Sequence, residues 1–312
     1  MGRYSTRSVR VSVIIPVYNG QATIGRAIDS ALAQAFDGFE VIVVNDGSTD
    51  NTNQILESYG AKILVVNHQS NRGLSAARNT GVSQSRGEYL AFLDDDDIWR
   101  ADKLAQTLRA LDQHSEAVLC FSDFEMVEAN GKQIKISSVG RPPTMEDLLS
   151  GAWPILPSAV VMKRSVFDLC GGFNQGLRWF EDTFMWLQAR EHGEFVFVAE
   201  PLVIYRYADA DVVARTEKYE PGRLELRRLL LERYGMRASA LIASFDRGYY
   251  FTQMMKARRQ LDAGDYRGAF NSLMKAAKSR PTYIIQRILR PSNVARLFRM
   301  CWGSSATRNS PQ

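Results

Sequence analysis

Five short apolar runs, joined by segments of helical periodicity, set the tightest limit on how this chain can fold. Residues 11–17 (Val-Ser-Val-Ile-Ile-Pro-Val), 39–44, 62–66, 89–93 and 117–122 are rich in β-branched or aromatic side chains and read as strands. Residues 22–34 place Ile24, Ala27, Ile28, Ala31 and Leu32 on one helical face. Residues 53–59, capped by Asp50 or Thr52, read as a further helix, as do 74–85 and 102–113. Strands alternating with helices predict a parallel sheet covered by helices on both faces.

Beyond Gly131 the pattern loosens. Residues 132–143 read as turn and loop, 145–150 as a short helix, 158–162 as a strand, and 165–169 as a helical turn closed by Gly171 and Gly172. Residues 179–192 read as a helix with Glu181 and Asp182 in its first turn, and 195–198 and 202–207 as two strands. From about Thr216 the chain reads as all-helical, with main segments at 224–234, 240–261 and 266–278; the stretch 261–278 has the look of one helical-hairpin repeat. The charge divides at the same place. Residues 1–212 hold 19 Lys and Arg against 27 Asp and Glu, a net of −8, whereas residues 213–312 hold 20 against 7, a net of +13. The expected organisation is an α/β domain over 1–212 followed by a basic helical region over 213–312.

Four consecutive carboxylates, Asp94, Asp95, Asp96 and Asp97, follow the apolar run at 89–93. Like charges repel, so folding alone does not favour gathering them at the end of a buried strand. Hard cations such as Mg²⁺ or Mn²⁺ take oxygen ligands, and Mg²⁺ is held by one or two carboxylates plus substrate phosphates. Ligands of open α/β sheets sit at the carboxyl ends of strands. This stretch alone therefore fits a metal–phosphate site, and it also fits a solvated acidic turn leading into the helix near Ala101. For Asp97 the expectation is a helix cap. Two more turn-forming motifs fall at strand ends: Pro16-Val17-Tyr18-Asn19 and Asp46-Gly47-Ser48-Thr49-Asp50. Between the last of these and the acidic run lies Asn71-Arg72-Gly73-Leu74-Ser75-Ala76-Ala77-Arg78-Asn79, which opens a helix. Arg side chains and backbone N–H groups at a helix start can meet an anion.

Several function classes are disfavoured. No run of ~18 apolar residues marks a membrane-spanning helix, and the first residues carry Arg3, Arg7 and Arg10 without an apolar stretch of signal-peptide length. Cys120, Cys170 and Cys301 lie far apart and give neither metal spacing nor a disulfide framework, which suits a reducing cytoplasm. His68, His114 and His192 are isolated and read as surface or core-edge residues. No nucleic-acid recognition motif is visible, so nucleic acid is not an expected partner.

Taken in order, the motifs resemble those of the inverting family 2 glycosyltransferases with the GT-A fold. The resemblance runs from Val11 to Tyr207 and rests on Val-Ser-Val-Ile-Ile-Pro-Val-Tyr-Asn, Val-Ile-Val-Val-Asn-Asp-Gly-Ser-Thr-Asp, Asn-Arg-Gly-Leu-Ser-Ala-Ala-Arg-Asn, Tyr-Leu-Ala-Phe-Leu-Asp-Asp-Asp-Asp-Ile-Trp and Phe-Glu-Asp-Thr. It implies that Pro16, Val17, Tyr18 and Asn19 line a nucleoside pocket and that Asp46 accepts a hydrogen bond from the base, the imide N–H of uracil being the expected donor. It implies that Arg78 approaches the diphosphate or base. Asp94, Asp95 and Asp96 match the Asp-x-Asp element, with Asp95 toward the ribose and sugar, and Asp96 and Asp94 toward Mn²⁺ or Mg²⁺. Glu181 and Asp182 match the acidic pair, with Asp182 as general base. The implied partners are a nucleotide-sugar donor, a UDP-sugar being expected, and a hydroxyl acceptor in a glycan or lipid-linked glycan of the cell surface.

The sequence departs from the pattern in two places. The segment 205–211 lacks the His that often follows, leaving Asp209 or Asp211, or a solvated loop, in its place. The Gln-x-x-Arg-Trp element of processive synthases is absent, so transfer of one or a few residues is expected. A sugar nucleotidyltransferase is the competing reading, but no Gly-rich basic phosphate loop follows the first strand; a non-catalytic nucleotide- or glycan-binding module is the third. The basic stretch 267–312 has no acidic residue and interleaves Arg and Lys with Tyr283, Ile284, Ile285, Ile288, Leu289, Leu297, Phe298, Met300 and Trp302. That mixture suits a peripheral contact with an anionic membrane at the inner face of the cell, or a bundle packed on the catalytic domain.

Overall fold

The computed structural model describes residues 9–128, 133–137, 140–150, 155–207 and 212–279. In chain order the elements are β1 (Val11–Val17), α1 (Ile24–Leu32), β2 (Phe39–Asn45), α2 (Thr52–Ser58), β3 (Leu64–Asn67), α3 (Leu74–Ser83), β4 (Tyr89–Phe92), β5 (Ile98–Trp99), α4 (Lys103–Gln113), β6 (Ala117–Glu128), β7 (Gln133–Ser137), α5 (Met145–Ser150), β8 (Val160–Lys163), α6 (Arg164–Leu169), α7 (Glu181–Arg190), β9 (Glu194–Tyr207), α8 (Val212–Tyr234), α9 (Ala238–Asp262) and α10 (Tyr266–Ser279). The expected fold class holds: an α/β sheet flanked by helices, then an all-helical region.

The strands join one sheet in the order β3-β2-β1-β4-β8-β6-β9-β5, with β7 on β6. Strands β3, β2, β1 and β4 are parallel, so their carboxyl ends share a rim. All seven residues of β1 are buried, as expected of an apolar run covered on both faces. Ile24, Ala27, Ile28 and Ala31 of α1 pack into the same core. The simple alternation ends at β4: β8, from later in the chain, inserts antiparallel between β4 and β6.

Three local expectations change. Residues 133–137 form β7 rather than loop, because Gln-Ile-Lys-Ile-Ser alternates and pairs with the far end of β6. The two strands expected at 195–198 and 202–207 are one strand, β9. Its register on β6 jumps from Ser122↔Val198 to Asp123↔Pro201, and this bulge accommodates a proline that cannot donate to the ladder. Asp97 does not cap α4, whose N-cap is Asp102; its role is given below.

Two compact units divide the described residues. The first contains the sheet with its flanking helices and residues Tyr219–Leu229 of α8. In the second, α9 and α10 pack against each other across a short link in which Gly264 takes φ +78. Residues 280–312, the larger part of the basic stretch, and Asp209 and Asp211 lie outside the described residues.

Candidate active site

The loops after β1 and β2 are laced together. Asn19 N–H donates to Ser48 Oγ at 2.9 Å, and Asn19 Oδ1 accepts Thr49 N–H at 2.8 Å. Gly20 N–H donates to Thr52 Oγ1 at 3.0 Å and Gln21 N–H to Asp50 Oδ2 at 3.1 Å. Asn19 holds φ 54, the left-handed region that Asn tolerates better than most residues. Of the four residues expected to line a nucleoside pocket, Pro16 and Val17 are buried in β1, whereas Tyr18 and Asn19 present their side chains to solvent. Tyr18 is 48% exposed, an aromatic face at the sheet rim.

Asp46 sits at the end of β2, buried, and gathers the segment leading into α3. Its Oδ1 accepts Arg72 N–H at 2.9 Å and its Oδ2 accepts Gly73 N–H at 2.8 Å. The anion held by the start of this motif is thus the protein's own carboxylate. His68 Nδ1 lies 2.6 Å from Asp46 Oδ1, and His68 Nε2 lies 3.0 Å from Thr80 Oγ1. His68, half-buried at the core edge, thus links the rim to α3 through a side chain that is itself shielded, and only its position one residue after β3 hints at this link.

The acidic run forms a turn closed by Asp97 N–H to Asp94 O at 3.1 Å, with Asp95 and Asp96 at its tip. Asp95 Oδ2 accepts Thr23 Oγ1–H at 2.9 Å. A Cβ on Gly20 would stand 2.5 Å from that same oxygen, so glycine is needed for this approach. Burial, then the neighbouring Asp96 charge, push the Asp95 carboxyl up to about 7. Asp96 is exposed. Asp97 is buried: its Oδ2 accepts Ser158 Oγ–H at 2.5 Å and its Oδ1 accepts Arg206 N–H at 3.3 Å. It therefore ties the turn to the sheet; it lies five residues before the N-cap, Asp102, too early to reach the orphan amides of α4.

Arg78, 1% exposed, joins this turn to α7. Its Nη2 donates to Asp94 Oδ1 at 2.6 Å and its Nη1 to Glu181 Oε1 at 3.0 Å. Its guanidinium lies over the Phe173 ring, 5.1 Å from the centroid. Burial works against its charge, but Asp94 and Glu181 more than offset that and raise its pKa further. Both Arg78 amino groups are therefore engaged by carboxylates. Glu181 and Asp182 open α7, where the helix dipole favours negative charge. Burial and the Asp182 charge push Glu181 up to about 7 against the pull of Arg78. Burial also raises Asp182, opposed by the Thr183 N–H bond to its Oδ1 at 2.5 Å. Phe180, just before the pair, is held at φ 66, a strained conformation for a bulky residue.

Among the described residues no three His, Cys, Asp or Glu side chains form a self-sufficient cation cage. The donor set nevertheless fits a hard divalent ion shared with a diphosphate. Asp94, Asp95 and Asp96 offer only oxygen, and Asp95 is pushed toward its protonated form by burial and then by its acidic neighbours. Asp96 and Asp94 would hold such an ion, whose positive charge would oppose the charge developing on a leaving diphosphate.

This geometry can be set beside known proteins. A family model described as glycosyl transferase family 2 matches residues 12–179. The chain belongs to that family. It is 31% identical over 228 residues to an uncharacterised glycosyltransferase of Rickettsia typhi, covering 70% of this chain and 71% of that one. Among solved structures, residues 1–349 of Staphylococcus aureus TarS in complex with UDP-GlcNAc superpose with a TM-score of 0.67 at 19% identity, covering 92% and 89% of the two chains. The match spans 50% of a longer TarS chain. A Pyrobaculum calidifontis mannosyltransferase in complex with GDP-Man and Mn²⁺ superposes at 0.55 and 20% identity, covering 96% and 88%. At such identities the structural likeness establishes the fold. With the family model and the Rickettsia relative, it makes this family 2 chain a glycosyltransferase.

Proposed function

We propose that this glycosyltransferase moves a sugar, with inversion, from a UDP-sugar to a hydroxyl of a cell-surface polysaccharide, lipopolysaccharide or related glycan. The observation that carries this reading is the Arg78 bridge. It brings a carboxylate of the acidic turn and the first carboxylate of α7 to one guanidinium, so donor-side and acceptor-side groups share one site. The UDP-GlcNAc held by TarS supports the donor class.

In this reading Tyr18 and Asn19 border the nucleoside and Asp46 faces the base with its remaining acceptor capacity. Asp95, held by Thr23, orients the ribose and sugar. Asp94 and Asp96 hold Mn²⁺ or Mg²⁺, as the Mn²⁺ in the mannosyltransferase complex supports. The acceptor oxygen attacks the anomeric carbon, the bond from that carbon to the diphosphate oxygen breaks, and the electron pair leaves with the nucleoside diphosphate. Asp182 takes the acceptor proton. Its raised pKa makes it a stronger base than an ordinary carboxylate once ionised. Glu181 is less suited, because Arg78 Nη1 occupies its Oε1.

We read residues 1–212 as the transferase domain and 213–312 as a basic region that meets an anionic membrane surface at the cytoplasmic face, where a lipid-linked acceptor would lie. The described part of that region supports this. On α10, Tyr266, Phe270 and Met274 form an exposed apolar row, and exposed Arg267, Lys275 and Lys278 lie beside it. No helix among the described residues is long and apolar enough to cross a membrane. A panel of nucleotide sugars, assayed with Mn²⁺ and membrane-derived acceptors, tests the reaction. Release of nucleoside diphosphate is expected. Formation of nucleoside triphosphate and sugar 1-phosphate from a nucleotide sugar, only when pyrophosphate is added, would establish a nucleotidyltransferase instead, and binding without either turnover would leave a non-catalytic module.

A further inference from the structure

One hydroxyl touches both ends of the acidic turn. Ser158 Oγ accepts Asp94 N–H at 3.0 Å and donates to Asp97 Oδ2 at 2.5 Å. Asp94 and Asp97 are the first and last residues of the turn, with Asp95 and Asp96 at the tip between them. Ser158 is completely buried and Asp97 is 1% exposed, so water does not compete for these bonds. The serine lies in the short turn Pro157–Ala159 that leads into β8, and its own carbonyl accepts Trp99 Nε1–H at 2.8 Å. The other Asp97 oxygen accepts Arg206 N–H from β9. Two neighbours in the sheet therefore grip the turn from behind while its tip faces outward.

We propose that Ser158 is a positioning residue that clasps the two ends of the Asp94–Asp97 turn and so sets Asp95 and Asp96 at the spacing a diphosphate and its divalent cation require. The inference rests on the donor-binding reading above.

The physics favours such a clasp. Adjacent carboxylates repel, and although Arg78, Thr23 and Arg206 hold Asp94, Asp95 and Asp97 by their side chains, one backbone hydrogen bond alone would close the turn between its two ends. With the hydroxyl in place, opening the turn breaks the Asp94 and Asp97 contacts together and strands a buried carboxylate. A methyl group at residue 158 removes both contacts and leaves the tip carboxylates in place. The turn then has to be ordered when the cation arrives, and affinity falls accordingly. Groups that orient metal ligands without touching the metal typically alter its affinity by roughly 10- to 100-fold.

The test is calorimetric titration of the full chain with UDP, with and without MnCl₂, after circular dichroism has established that each variant is folded. Ser158→Ala and Asp97→Ala are each expected to weaken Mn²⁺-dependent UDP binding about tenfold. Metal-free UDP binding should fall much less, since the base contacts lie elsewhere and only the Asp95 contact to the ribose runs through the turn. The double variant should be no weaker than the worse single one, because both changes open the same clasp. Asp97→Asn should recover most of what Asp97→Ala loses, since its amide oxygen can still accept Arg206 N–H while its amide N–H donates to Ser158 Oγ; it also serves as the test if Ser158→Ala does not fold. Folded Ser158→Ala that binds UDP with Mn²⁺ as the unaltered chain does would overturn the clasp while leaving the donor reading intact. Additive losses in the double variant, or Asp97→Asn as weak as Asp97→Ala, would do the same. Absence of Mn²⁺-dependent UDP binding in the unaltered chain would remove the donor reading and the clasp with it.

Discussion

Replacing Arg78 with Met isolates the central bridge. Met keeps an unbranched side chain against the Phe173 ring and removes only the charge and donors. Breaking a buried ion pair by deleting one partner costs about 3–5 kcal/mol. The Asp94 side chain is 28% exposed and that of Glu181 10%, so water recovers part of this for Asp94 and the lower end, about 3 kcal/mol, is expected near neutral pH. The deficit should also depend on pH. Glu181 is already raised to about 7 in the folded protein, chiefly by burial, whereas an unfolded Glu titrates near ~4.3. A carboxyl with a raised folded pKa holds a proton that the unfolded chain has released, so stability falls as pH rises from the unfolded to the folded value. Without Arg78 the folded value rises further, and the variant keeps losing up to about 1.4 kcal/mol per pH unit above pH 7, where this group no longer affects the unaltered chain. Urea unfolding at pH 5, 6, 7 and 8 reads this directly. The deficit should be smallest at pH 5 and grow through pH 8. A deficit that is constant over that range, or below about 1 kcal/mol at pH 8, would refute the claim that Arg78 compensates buried carboxylates.

Three other outcomes follow from the site. Asp182→Asn should bind UDP normally and lose transfer by about 10²–10⁴-fold, the usual contribution of a positioned proton acceptor; normal transfer by Asp182→Asn together with loss in Glu181→Gln would reassign the base. Asp96→Ala should abolish Mn²⁺-dependent UDP binding, and it is a cleaner test than Asp94→Ala because Asp94 also holds Arg78; unchanged metal-dependent affinity would dismiss Asp96 as a ligand. Full-length protein should co-sediment with anionic liposomes at low salt more than a chain ending at Lys278, since six Arg lie from Arg280 onward and each contributes about 1 kcal/mol near such a surface; equal sedimentation would remove the membrane role from residues 279–312.

Much of this site was legible because its parts are local. An apolar run ending in Asp-Gly or in four Asp can be read as a strand meeting a rim without knowing what lies beside it. The same holds for Glu181 and Asp182, which open a helix whose periodicity shows in the residues that follow. What stayed hidden depends on partners distant in sequence. Asp97 looked like a helix cap because capping is the local use of such a residue. Its partners, Ser158 and Arg206, are 61 and 109 residues away. His68 looked isolated because its spacing to any other His or Cys is uninformative, yet β3 beside β2 places it against Asp46. The antiparallel insertion of β8 was hidden for the same reason: its register is fixed by β4 and β6, not by its own four residues.

The long-range contacts converge on one helix, which explains why a single motif carries so much of the site. Helix α3 is pressed onto β1 and β2 at Gly81, where a Cβ would stand 2.5 Å from Ile14 Cγ2 and 3.2 Å from Val44 Cγ2. That close approach fixes the helix axis against the sheet, and the preceding turn of helix then delivers Arg78 to the rim. The same helix meets three other parts of the site. Asp46 binds the amides that lead into it, and Thr80 meets His68. Asn79 exchanges two hydrogen bonds with the backbone of Phe173, the residue whose ring lies under Arg78. Arg78 itself reaches the acidic turn and α7. A shift of α3 by even one ångström would strain its bonds to the Asp46 loop, the acidic turn and α7 together. The Asn71–Asn79 motif thus works as the frame that keeps the Asp46, Asp94 and Glu181 carboxylates in register.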